Sequence, residues 1–106
     1  MSYARPQTWS SFSEHALSHD ALLNHYRELK QFQIKLYPNN YAADQSINLK
    51  GAHNFTVYII NGGCEIIVNK APIALTAGEF IELNAGEYAL TTQSEGVELI
   101  KVFSTR

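Results

Sequence analysis

Between residues 31 and 103 the chain alternates apolar and polar side chains in short runs, most of them ended by glycine, proline or asparagine. Alternation places successive side chains on opposite faces of a strand. Residues 31–37, 47–49, 55–60, 65–68, 73–75, 79–83, 88–92 and 97–103 read as strands. Residues 55–60 give the strongest signal, being rich in β-branched and aromatic side chains. Pro38-Asn39-Asn40 is expected to end the first strand. Asn61-Gly62 reads as a hairpin turn, since both positions tolerate positive φ. Asn69-Lys70-Ala71-Pro72, Ala77-Gly78, Asn84-Ala85-Gly86 and Ser94-Glu95-Gly96 supply further turns. Turns recurring roughly every 8–12 residues indicate a sandwich or barrel. No helical pattern interrupts this half, so a parallel sheet is not expected.

The first 30 residues differ. Residues 1–17 are polar and irregular, with Trp9 and Phe12 as the large anchors, and read as an arm. Such an arm can pack on its own barrel or on a partner subunit, and the sequence does not choose. Residues 18–30 fit a helix with Ser18 as N-cap and Leu22, Tyr26 and Leu29 on one face. An early strand over residues 22–29 competes with that reading, and the helix is preferred. Residues 1–30 are assigned to the same domain as the barrel at 31–106.

A chain of 106 residues is bounded to one domain. Hydrophobic residues make up 45% and charged residues 17%, which is a globular composition. The net charge is −2 and the lysines and arginines are scattered, so nucleic acid and anionic membrane are not expected partners. The apolar run at 57–60 is far too short to span a bilayer. The N-terminus lacks the apolar segment of a signal peptide, and a cytoplasmic setting is the expectation. The single cysteine, Cys64, cannot form an internal disulfide and reads as a buried, inert thiol.

The glycine framework carries more. Gly62 closes one β segment; Gly78, five residues, and then Asn84-Ala85-Gly86 form a second. Together these resemble the two-motif core of the cupin family over residues 47–103. The resemblance implies an all-β fold, a double-stranded β-helix or jelly-roll barrel, with an N-terminal arm and short helix. It also implies a metal site in many members: two histidines and a glutamate from the first motif, and a histidine from the second. Here the glutamate slot falls on Phe55. The two histidine slots fall among Asn48, Leu49, Lys50 and Gly51, and the last falls on Ala89. Proline is usual where Asn84 stands. A transition-metal site needs several converging imidazoles or carboxylates, so no metal and no cofactor is expected. His53 is the exception to note, because it should share the face of Phe55.

With Ala89 inward, alternation would place Glu87, Thr91 and Gln93 inside as well. The expected ligand-binding set is then His53, Phe55, Glu87, Ala89, Thr91 and Gln93: an apolar centre with polar groups around it. A core filled by its own side chains is the competing reading. On the 79–83 strand, Ile81 and Leu83 are expected to face the core, with Phe80 and Glu82 on the other side.

Other constellations are weaker. His15 and His19 have the i, i+4 spacing of a helical pair, but Ala16 stands where a zinc protease needs glutamate. His25 reads as a surface or interface residue. No phosphate loop or nucleophile elbow is present.

The preferred functional expectation is a metal-free small cupin that binds a small organic ligand in its barrel as a homodimer. A metal-independent isomerase, epimerase or phosphorylase-like enzyme on a sugar or nucleoside is the first alternative, with His53 as acid or base. A structural or dimerisation module is the second, and a metalloenzyme with unusual ligands the last. The dimer rests on small size and on Tyr88 and Leu90, which would face outward opposite Ala89 and need cover.

Overall fold

The computed structural model describes residues 6–11, 17–28 and 34–104. Chain order gives β1 Gln7–Thr8, a 3-10 turn at Trp9–Ser11, α1 His19–Glu28, β2 Ile34–Tyr41, β3 Ser46–Gly51, β4 Phe55–Val68, β5 Ala71–Thr76, β6 Glu79–Leu83 and β7 Gly86–Ser104. Every strand pairing is antiparallel.

The frame is a ribbon of the two longest strands, β4 and β7, paired along most of their length. One half joins residues 55–62 to residues 97–103, and the other joins 64–67 to 89–92. The pairing slips between Ile59 and Asn61 and between Gly62 and Cys64. Such bulges bend a strand and increase its twist. In the first half β6 flanks β4 and β2 flanks β7. In the second half β5 flanks β4 and β3 flanks β7. The two halves share one continuous core, so their inner faces oppose each other.

Three expectations of chain reversal give way here. Asn61-Gly62 is not a hairpin turn, because β4 runs straight through it. Gly62 has φ 79°, and that left-handed residue serves a bulge instead. Ser94-Glu95-Gly96 likewise lies inside β7. Pro38-Asn39-Asn40 does not stop β2, which extends to Tyr41. Among the described residues that strand is an edge that pairs only with β7, and an edge position tolerates a residue lacking N–H. By contrast, Asn69 and Lys70 both have positive φ and turn β4 back onto β5.

Alternation sorts the side chains of the ribbon into two cores. Val57, Ile59, Ile81, Leu83 and Leu99 join Leu49, Phe55, Cys64, Ile66, Leu75 and Leu90 inside. Tyr58, Phe80, Ile100 and Val102 point outward and are covered by Trp9, Leu22 and Tyr26. The placement of Ile81 and Leu83 inward and Phe80 on the opposite face follows the sequence reading.

The helix forms as its N-cap directs. Ser18 Oγ accepts the Ala21 N–H at 3.1 Å, satisfying one orphan donor of the first turn. Leu22 and Tyr26 are its buried face; Leu29 lies outside the described residues. The arm packs on its own barrel: Gln7 and Thr8 pair with Phe80 and Glu79, and Trp9 sits 5.2 Å from the His25 ring and 5.9 Å from that of Tyr58. Phe12 and His15 lie outside the described residues, so the His15–His19 pair does too. No described helix is long and apolar enough to cross a membrane.

Candidate functional site

The inner face carries few polar groups. Val57, Ile59, Cys64, Ile66, Leu75, Ile81, Leu90 and Leu99 expose no surface. A side chain without accessible surface borders no void large enough for water, so the barrel is filled at these positions. Its buried polar residue is Thr92, whose hydroxyl accepts the Gln45 N–H at 2.7 Å and donates to the Ala42 carbonyl at 2.7 Å. Cys64 lies in this core, and burial, with the Glu65 carboxylate adding, pushes its thiol up to about 12. It is the inert thiol the sequence suggested.

The end of the barrel away from the bend is different. There Phe55 of one half meets Tyr88 of the other, with ring centroids 6.1 Å apart. Phe103 stacks on Phe55 at 5.3 Å, and Tyr37 meets Phe103 edge-on at 5.5 Å. Register explains the chain of rings. Phe55 pairs with Phe103, and one step inward Val57 and Tyr37 both pair with Lys101. The series runs from a fully buried Val57 to Tyr37, which is 45% exposed and is the large apolar residue most open to solvent among those described. Gly51 closes the opposite side: a Cβ there would lie 2.5 Å from the Phe55 ring. The loop carrying His53 is tied to the next one by Asn54, whose side-chain oxygen accepts the Ala85 N–H at 2.9 Å. Tyr88 donates its hydroxyl to the Asn84 carbonyl at 2.9 Å.

The structure separates the expected ligand set. Phe55 is buried at this aromatic end, and His53 is exposed in the adjoining loop. Glu87, Ala89 and Thr91 are exposed on the outer face of β7, and Gln93 is exposed at the bend. The expected inward orientation of Ala89 is off by one residue. Leu90 is the core residue, and Tyr88 packs against that core. Pairing fixes the direction: Tyr88 and Leu90 oppose Leu49 and Ile47, whereas Glu87 and Ala89 oppose Lys50 and Asn48. Glu87 holds Lys50 at 3.5 Å on the outside. Tyr88 and Leu90 are therefore covered within the chain, and their exposure does not call for a partner subunit.

Tyr37, Tyr88, Lys101 and Phe103 are the residues of this end that sequence reasoning missed. The available signal was strand alternation, which places Lys35 and Tyr37 on one face of β2.

Among the described residues, no three of His, Cys, Asp and Glu come together as a metal site would require. Of the ligand slots the resemblance assigns, Leu49, Gly51 and Phe55 lie on the inner face and Asn48, Lys50 and Ala89 on the outer one, so the slots bring no transition-metal donor set into the barrel. The residues present do not fit the cupin metal.

The sequence matches no protein-family model, and no curated protein matches it. Solved structures do match. A cupin superfamily protein from Desulfitobacterium hafniense superposes with a TM-score of 0.59 over 98% of this chain and 79% of its own, at 10% identity. The Cupin_2 domain of an XRE family transcriptional regulator from Enterobacter cloacae gives a TM-score of 0.62 over 73% of this chain and 86% of that one, at 12% identity. The chain has the cupin fold. The cupin glycine framework seen in the sequence thus corresponds to the bend and turns of the barrel. The EutQ protein of Clostridium difficile also shares the fold, with a TM-score of 0.57 and 15% identity over 67% of this chain; the match spans 56% of EutQ.

Proposed function

We propose that this cupin-fold chain is a small-molecule binding module whose site is the aromatic end of the barrel, not its centre. The observation that supports this is the continuous set of ring contacts from Tyr37 through Phe103 and Phe55 to Tyr88. Mostly apolar walls with a few polar groups are what small organic ligands require, and aromatic side chains offer large, rigid contact area. A filled core directs any ligand to this rim. The reading is binding without catalysis. His53 and Glu87 share no hydrogen bond, and no carboxylate lies on the inner face of β2, β3, β4 or β7 to act as a base beside the rings.

Calorimetric titration with a neutral planar probe, 2-naphthamide, tests the reading. The native protein should bind it saturably, and Tyr37→Ala, which removes a half-exposed ring, should weaken binding severalfold while leaving the melting temperature nearly unchanged. Absence of saturable binding at millimolar probe would overturn the site. A domain this small often pairs with its copy, and we include a cytoplasmic homodimer in the proposal. A concentration-independent monomer in sedimentation would remove the dimer.

A further inference from the structure

We infer that the aromatic end selects planar organic anions, aromatic carboxylates above all, with Lys101 as the group that holds the charge. The inference rests on the binding site proposed above and names its ligand class.

Lys101 belongs to β7 and pairs with Tyr37 on one side and with Val57 on the other. Its side chain therefore shares the inner face with those two residues and with Phe103, two positions further on. It is half-buried in that position. The only described ion pairs are His19 with Asp20 and Lys50 with Glu87, so Lys101 has no carboxylate partner among the described residues. Lys35, which pairs with Phe103, brings a second ammonium to the same face. The inner-face residues of the four strands that border it are Lys35, Tyr37, Asn39 and Tyr41 on β2, apolar groups and glycine on β3 and β4, and Tyr88, Leu90, Thr92, Val97, Leu99, Lys101 and Phe103 on β7. None carries negative charge.

Physical chemistry then chooses the ligand. A partly desolvated ammonium without a counter-charge is unfavourable, and a ligand that brings one relieves it. Aromatic rings alone would also accept a cation on their faces, but two ammoniums on this face repel one. Stacking against Phe103 and Tyr37 favours a planar body, and Lys101 favours an acidic group attached to it. A planar acid satisfies both.

The test compares two probes of the same shape, 2-naphthoate and 2-naphthamide, by calorimetry on the native protein and on Lys101→Met and Lys101→Arg. Methionine keeps the apolar stem and removes the charge; arginine keeps the charge. The native protein should bind the carboxylate about tenfold more tightly than the amide, the size of one charge-assisted hydrogen bond. Lys101→Met should erase that preference by weakening the carboxylate far more than the amide, while Lys101→Arg should retain it. Added salt should weaken the carboxylate alone. Equal affinity of the two probes for the native protein, or an unchanged preference in Lys101→Met, would overturn the inference and leave the aromatic site standing. If neither probe binds, both the site and its selectivity are wrong. Melting curves of each variant show whether it is folded, and Lys101→Gln, which also removes the charge, decides the matter if the methionine variant is not.

Discussion

Gly62 and Gly96 lie against each other where β4 and β7 bend: both are left-handed, with φ 79° and 71°, and a Cβ on Gly62 would collide with the Gly96 carbonyl oxygen. The second glycine is confined as well, since its own Cβ would lie 2.6 Å from the Tyr41 carbonyl oxygen. Gly78 is also left-handed, at φ 90°, but faces open space. Gly78→Ala should therefore cost only the backbone strain of a left-handed alanine, about 1–2 kcal/mol. Gly62→Ala should cost that plus the collision with backbone that cannot easily move, about 3 kcal/mol or more. Urea denaturation of both variants gives the difference. Equal costs would mean that the bend does not depend on this contact.

These glycines also show how far the sequence could be read. Asn61-Gly62 announced positive φ, but a hairpin and a bulge both use that conformation. Only the pairing of residues 55–67 with one strand, β7, decides between them. The inverted face of β7 has a similar origin. Tyr88, Ala89, Leu90 and Thr91 put an apolar residue on each face, so a period of two does not say which side is in. Counting from Gly86 placed Ala89 inside. The size of Leu90 argued the other way, and burial of the larger side chain won. Ile81 and Leu83 were legible because both neighbours across the alternation included a charge, Glu82, that had to reach water. The aromatic end escaped notice because Tyr37, Phe55, Tyr88 and Phe103 are far apart in sequence and meet only through the ribbon.

Thr92 fixes the turn that joins β2 to β3. Its hydroxyl holds the Gln45 N–H and the Ala42 carbonyl, both at 2.7 Å, and its own N–H donates to the Gln45 carbonyl at 2.8 Å. Thr92→Val keeps the volume and removes the hydroxyl, leaving two backbone groups without that partner. The expected loss is about 1–3 kcal/mol. Thr92→Ser should recover most of it, and equal stability of the valine variant and native protein in urea would show that water replaces the hydroxyl at no cost.

Added zinc, manganese, nickel or iron should leave the melting temperature unchanged. A metal at a hundred times its dissociation constant stabilises a folded chain by about 2.7 kcal/mol, which a melting curve detects easily. The inner-face residues at the cupin ligand slots offer no such site. One metal per chain by elemental mass spectrometry, lost in His53→Ala, would show instead that the exposed His53 recruits ligands from outside the barrel.

The stability of this fold should fall above pH 9, first through Cys64 and then through a buried pair of phenols. Burial pushes the Cys64 thiol from an ordinary 9.0 up to about 12. Burial also raises Tyr26 and Tyr58, whose hydroxyls lie 2.8 Å apart beneath α1. Each group holds its proton more tightly folded than unfolded. Well below pH 9 both states are protonated and the contribution is intact. Between pH 9 and 10 the unfolded thiol ionises while the folded one does not, so stability falls by about 1 kcal/mol. Above pH 10 the two phenols add to the slope in the same direction. Cys64→Ala should lower stability at pH 7 by leaving a small cavity, yet flatten the decline between pH 9 and 10. Tyr58→Phe should leave that window unchanged and reduce the slope above pH 10, since it removes one of the two buried phenols. Urea midpoints of the three proteins from pH 8 to 11 separate these effects; parallel curves for native and Cys64→Ala would place the thiol in contact with water.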